Sequence, residues 1–211
     1  QDRLTDDQKT RSRAMLSSSG LSLVYSLGDE VPNTAVGAIS AASCTPQTTN
    51  VGTTGSYGGI TNLSISNTYS NPSSYVNINT ELGYMDFSNQ CLKTINLFED
   101  STYSFEVETW YNAHNIKGYI DFNNDGDFLD ANEEIFNINN IENLNPPFFS
   151  SNQTSYTLPS VNGTSILGGT KLRLRLNADI GNVANACEDP LYGQVEDYAL
   201  VINQINAIPP V

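Results

Sequence analysis

Between positions 121 and 134 the chain reads Asp121-Phe122-Asn123-Asn124-Asp125-Gly126-Asp127-Phe128-Leu129-Asp130-Ala131-Asn132-Glu133-Glu134. Oxygen-bearing side chains stand at alternate positions 121, 123 and 125, and a glycine follows at 126. A hard divalent cation takes about six to eight oxygen ligands, and glycine permits the sharp turn that makes them converge. The pattern repeats the opening of an EF-hand loop, so Asp121, Asn123 and Asp125 are expected to ligate Ca2+. Asp127 adds a carbonyl or carboxylate oxygen, and Glu133 is placed to close the shell in bidentate fashion. That Glu falls one position later than in an EF-hand, and no helical pattern flanks the segment. The expectation is a calcium loop between two strands, one ending at Phe122 and the other starting near Glu134. The plainer alternative is a solvated acidic turn, because the same residue types suit turn chemistry.

The remaining reactive residues point to structure rather than catalysis. Glu196 and Asp197 are paired carboxylates of the kind that hydrolyse glycosides. Neighbours on a strand project to opposite faces, however, and cannot flank one sugar bond. One of them is expected to pair with Arg173 or Arg175. The strand that carries these arginines, Lys171-Leu172-Arg173-Leu174-Arg175-Leu176, alternates without error. Its leucines are expected to face the core and its cations outward. His114, the single histidine, has no Ser or Cys motif beside it and reads as a polar loop residue. HExxH is absent, and Cys44, Cys91 and Cys187 form no CxxC pair, which argues against a zinc site. Three cysteines permit one disulfide and one unpaired thiol, and spacing does not choose among the pairings. Tyr57, Tyr69, Tyr75, Tyr84, Trp110 and Tyr111 offer material for a carbohydrate platform, although such rings more often cap a core.

The elements that must position these groups are mostly strands. Residues 4–16 make the one convincing helix, with Thr5 as N-cap and Gln8 completing a capping box. From about Thr34 the apolar period becomes two. Strands are expected at Ile60–Ser66, Tyr75–Asn79, Leu92–Phe98, Tyr103–Trp110, Lys117–Phe122, Glu134–Ile138, Thr154–Leu158, Lys171–Asn177 and Val195–Ile202. This is an all-β chain, an antiparallel β-sandwich of jelly-roll or immunoglobulin-like type with one short N-terminal helix. The expected division is helix and linker over 1–33, the sandwich over 34–204 and a C-terminal linker over 205–211.

With 9 Lys+Arg against 23 Asp+Glu, the 211-residue chain carries a formal net charge of -14. Nucleic acid needs a basic face and is excluded as a partner; an anionic membrane surface is disfavoured for the same reason. No apolar run reaches the roughly 18 residues of a spanning helix. Few lysines, abundant Asn, Ser, Thr and Tyr, and sparse cysteine suggest a secreted, extracellular or cell-surface polypeptide. The N-terminus has neither an initiator Met nor a signal-peptide core, so the chain is expected to begin inside a longer precursor.

Five segments in order carry a resemblance. They are Cys44-Thr45-Pro46, Gly83-Tyr84-Met85-Asp86-Phe87-Ser88, Tyr119-Ile120-Asp121-Phe122-Asn123-Asn124-Asp125-Gly126-Asp127-Phe128, Leu172-Arg173-Leu174-Arg175 and Tyr192-Gly193-Gln194-Val195-Glu196-Asp197-Tyr198. Over about residues 40–203 the chain resembles the GEVED domain of secreted bacterial proteins, with Gln194 in place of that pattern's first Glu. The resemblance implies a disulfide between Cys44 and Cys91, with Cys187 left over. Residues 4–16 are similar to the last helix of pappalysin-type zinc metalloproteases, which GEVED domains often follow. Together these imply a non-catalytic, calcium-stabilised module tethered to neighbouring domains, binding or spacing its parent on a protein or polysaccharide surface. A carbohydrate-binding or adhesin domain with its own groove is the alternative.

Overall fold

A computed structural model describes residues 38–49, 59–72, 83–110, 114–139, 149–161, 166 and 168–204. The chain divides into two compact units, Gln1–Thr34 and Ala35–Val211, and every described residue lies in the second. The expected helix at 4–16, the strand at 75–79 and the C-terminal linker fall outside the described residues.

The described residues are nearly all β. In chain order the strands are β1 (Ile60–Ile65), β2 (Tyr69–Pro72), β3 (Tyr84–Asp86), β4 (Ile95–Phe98), β5 (Thr102–Trp110), β6 (Asn115–Asp121), β7 (Glu134–Ile138), β8 (Phe149–Thr157), β9 (Lys171–Asp179) and β10 (Gln194–Asn203). One sheet has the order β2-β1-β5-β8. The other has the order β3-β10-β9-β6-β7, with β4 sharing the β3 edge of β10. The two open sheets pack as a sandwich. A short turn of 3-10 helix, Cys91–Lys93, replaces the first part of the strand expected at 92–98.

Period-two patterning builds the core. Leu63, Ile65, Phe105 and Val107 from the first sheet meet Leu172, Leu174, Leu176, Leu200 and Ile202 from the second, all fully buried. Phe105 and Phe136, with ring centroids 5.6 Å apart, bridge the two sheets. Among the described residues all pairings are antiparallel except at one edge, where β3 and β4 run parallel to β10. A wholly antiparallel sandwich was expected; the difference arises because the chain runs along this edge once in the direction of β10, β3 beside Val195–Asp197 and β4 beside Leu200–Asn203.

The second face of the larger sheet is not a solvent face. On it stand Tyr119 and Asp121 of β6, Arg173, Arg175 and Asn177 of β9, and Asp197 of β10, each no more than 4 % exposed. The expectation that the cations of the alternating strand face outward is therefore corrected. They do point away from the leucine core, but Cys44, Ser40 and Ala186 contribute backbone carbonyls that cover them. The cover is an extended strap, residues 38–49, together with the loop between β9 and β10. His114 stands at a loop position just before β6, as expected, and is buried there.

Candidate metal centre

The 121–133 loop leaves the end of β6 and returns into β7. Asp121, the last residue of β6, turns its carboxylate back into the loop and accepts N–H bonds from Asp125 (3.1 Å) and Gly126 (2.9 Å). Glu133 closes the other end, accepting from the backbone N–H of Phe122 (3.1 Å) and Asp130 (3.2 Å). Asn124 (φ 56°) and Gly126 (φ 96°) adopt left-handed backbone, which lets the chain double back within so few residues. At Gly126 a side chain is doubly excluded, since an added Cβ would lie 2.3 Å from the carbonyl oxygen of Ala41.

The carboxylates of Asp125, Asp127 and Asp130 converge, with ligating oxygens all within 4.8 Å of one another. Asn123 joins them by donating from Nδ2 to Asp125 Oδ2 (2.9 Å) and Asp130 Oδ2 (2.6 Å). Its amide thus brings partial positive charge between two carboxylates. Its Oδ1 meanwhile accepts the Asp125 N–H (3.1 Å), so turning the amide to present its oxygen to the cluster gives up that bond. Of the five expected ligands, the structure brings Asp125, Asp127 and Asn123 together. Asp121 and Glu133 are buried at the ends of the loop with their oxygens on backbone amides. Sequence reasoning passed over Asp130. Its signal was available in the spacing: Asp130 stands three residues after Asp127 and three before Glu133, on the turn that Glu133 N–H closes onto the Asp130 carbonyl (3.3 Å).

Electrostatically the loop is under-compensated. Residues 121–134 hold six carboxylates and no Lys or Arg. Lys117 reaches Glu134 (3.0 Å). Burial pushes the Glu133 carboxyl up to about 7, against the lowering effect of its two backbone hydrogen bonds and with a further upward push from Asp121 and Asp130. Asp121 is raised as well, again chiefly by burial. The donor set is all oxygen, acidic and mounted on a tight turn, which fits a hard divalent cation such as Ca2+.

A buried ion network lies on the same sheet face. Asp197 accepts from Arg173 Nη1 (2.8 Å), Arg175 Nε (2.7 Å), Arg175 Nη2 (2.8 Å) and the Tyr84 hydroxyl (2.5 Å). Arg175 spends its other donors on Ala186 O, Cys44 O and Cys44 Sγ, and its guanidinium lies over the Phe128 ring at 4.7 Å. The fork is thereby satisfied without solvent. Glu196 projects to the other side of β10, opposite Leu176 on the core face, where it accepts a bond from the Tyr198 hydroxyl. The two adjacent carboxylates therefore lie on opposite faces, both fully buried. Gln194, on the core face too, accepts the Ile60 N–H (3.0 Å).

The disulfide joins Cys44 to Cys187, not Cys44 to Cys91. The strap brings Cys44 across the arginines to the loop that carries Cys187, giving a Cα–Cα distance of 5.6 Å. Cys91 is a free thiol exposed on the 3-10 turn. Among the aromatics considered for a platform, Tyr69 packs edge-on against Tyr198 and Tyr84 bonds Asp197. Tyr57, Tyr75, Tyr111 and the Trp110 side chain lie outside the described residues.

No curated protein matches the chain. Its residues 115–201, from the start of β6 through the 121–133 loop and the arginine strand into β10 as far as Val201, match the family model of the GEVED domain, and over that segment the chain is similar to this family.

Proposed function

We propose that this chain is a calcium-stabilised, non-catalytic accessory module of a secreted bacterial protein, a metalloprotease by the character of residues 4–16. Its task is to bind or space the parent on a polymer, surface or protein substrate. The GEVED match supports an accessory domain. A disulfide and the composition favour an oxidising, extracellular compartment. The observation that carries the calcium reading is the convergence of Asp125, Asp127 and Asp130 within 4.8 Å. Asn123 and these three carboxylates would hold the ion, with Asp121 and Glu133 shaping the turn that presents them. When bound, the cation neutralises carboxylates that otherwise repel one another. Titration of EDTA-stripped protein with calcium chloride should give one site and raise the melting temperature; no heat and no shift would remove calcium from the reading. Glycan and protein arrays probed with and without calcium then identify the surface.

One observation favours the second reading, a module with its own ligand groove. A concave pocket of about 520 Å³ opens beside the loop, walled by Phe122, Asn123, Asp130, Asn132, Tyr156 and Ile166. Its aromatic, amide and carboxylate lining, with no Lys or Arg among the described residues, suits a neutral polyhydroxylated ligand. Array binding lost in Tyr156→Ala would favour it.

A further inference from the structure

The residues of the 121–127 segment divide by parity. Asp121, Asn123, Asp125 and Asp127 carry the oxygen side chains, whereas Asn124 and Gly126 turn to the strap. Ser40 N–H donates to Asn124 Oδ1 (2.9 Å), Ser40 Oγ donates to Asn124 O, and Asn124 Nδ2 donates to Ala38 O (3.2 Å). Ser43 N–H donates to Gly126 O (2.7 Å). These bonds are made with the same left-handed backbone at 124 and 126 with which the Asp125 and Gly126 amides reach Asp121. Beyond the loop the strap is tied down along its length. Arg173 Nη2 donates to Ser40 O (2.9 Å), Cys44 is disulfide-bonded to Cys187, and Thr48 Oγ1 donates to Gly193 O (2.7 Å). The strap lies outside the span that matches the family model, residues 115–201.

We propose that the strap is part of the support of the calcium site, with Asn124 as its positioning residue, so that cation binding and strap docking reinforce each other. The inference rests on the calcium reading above. Two partners that select one backbone conformation of a shared loop are positively coupled, and the coupling is reciprocal. Calcium then strengthens the docking of residues 38–49, and a weakened strap lowers calcium affinity without loss of any ligand. The carboxylate loop thus helps fix the path by which the chain enters the sandwich.

The full chain tests this with two substitutions that touch no proposed ligand. Asn124→Gly keeps the left-handed backbone and deletes the side-chain bonds to the strap. Ser40→Ala removes one bond from the strap side and serves if the first variant fails to fold. Calcium titration by calorimetry should show affinity weakened by about fivefold or more in either variant. Amide hydrogen exchange across 38–49 should slow in wild type on adding calcium, and slow less in the variants. If wild type binds calcium but the variants bind within about twofold of it, or exchange across 38–49 ignores calcium, the coupling is overturned and the calcium reading stands. If wild type binds no calcium, both fall.

Discussion

Asp125 and Asp121 are both loop carboxylates, yet they do different work, and substitution should separate them. Asp125 sits exposed in the cluster with Asp127 and Asp130, accepts a single backbone N–H, from Asp127 (3.0 Å), and on the calcium reading proposed above is a ligand of the cation. In EDTA, Asp125→Ala should leave the melting temperature within about 2 °C of wild type, and it should abolish the rise on adding calcium. Asp121 instead holds two backbone amides from a buried position, so Asp121→Ala should destabilise in EDTA as well, by about 1–3 kcal/mol. Scanning fluorimetry of both variants with and without calcium decides; equal behaviour would remove the distinction. Asp197 offers a sharper case. It lies between two guanidiniums and the Tyr84 hydroxyl with no exposure, so Asp197→Asn leaves two buried cations facing a neutral amide. The expected loss is about 3–5 kcal/mol, read as a lower urea midpoint at unchanged slope. A loss below about 1 kcal/mol would show that the network is not desolvated as its geometry implies.

At the level of elements, the β9–β10 pair is the frame on which loop, strap and disulfide all converge. Its register depends on the entry into β10 at Gly193. A Cβ there would lie 1.7 Å from the Ala178 carbonyl oxygen, a backbone atom that cannot move without breaking the pairing. Gly193→Ala should therefore destabilise by about 1–3 kcal/mol or prevent folding, although no side chain is lost. A variant as stable as wild type in urea would mean that the register slips at no cost. The strap is an element of another kind, an extended segment with no strand partner. Its bonds run to a loop, two arginines and a disulfide, so its order depends on groups far away in the chain.

Across the whole molecule, the disulfide is a covalent link between distant parts of the chain. Cys44 and Cys187 are 143 positions apart, and chain entropy assigns such a link roughly 4–5 kcal/mol. The double variant Cys44→Ser with Cys187→Ser should lose stability on that scale, whereas Cys91→Ser, at an exposed thiol, should lose almost none. Non-reducing peptide mapping should recover the 44–187 linkage; recovery of a 44–91 linkage would contradict the structure. On the calcium reading proposed above, the cation acts on the same global equilibrium. At a hundredfold excess over Kd a ligand of the folded state adds about 3 kcal/mol, which for a domain of this size raises Tm by about 5–10 °C. With Glu196 and Asp197 buried on opposite sides of β10, the purified chain should hydrolyse neither peptides nor glycosides. Turnover that is lost in a folded Glu196→Gln variant would overturn that expectation.

Local chemistry made much of this protein legible without a structure. Alternation marked β9 and β10 because side chains on a strand divide between two faces whatever lies beyond them. Oxygen side chains at 121, 123 and 125 ahead of a glycine marked the loop, because a tight turn needs few residues and all of them are neighbours in sequence. Tertiary structure alone decided what covers each face. Periodicity told the arginines from the leucines but could not show that a strap some 130 residues earlier buries the arginines rather than leaving them in water. Asp130 was legible in its spacing from Asp127 and Glu133, but that its carboxylate turns toward Asp125 and Asp127 was not. The disulfide depended on which cysteine came within bonding distance of Cys44, a property of strap path and loop position that spacing along the chain does not encode.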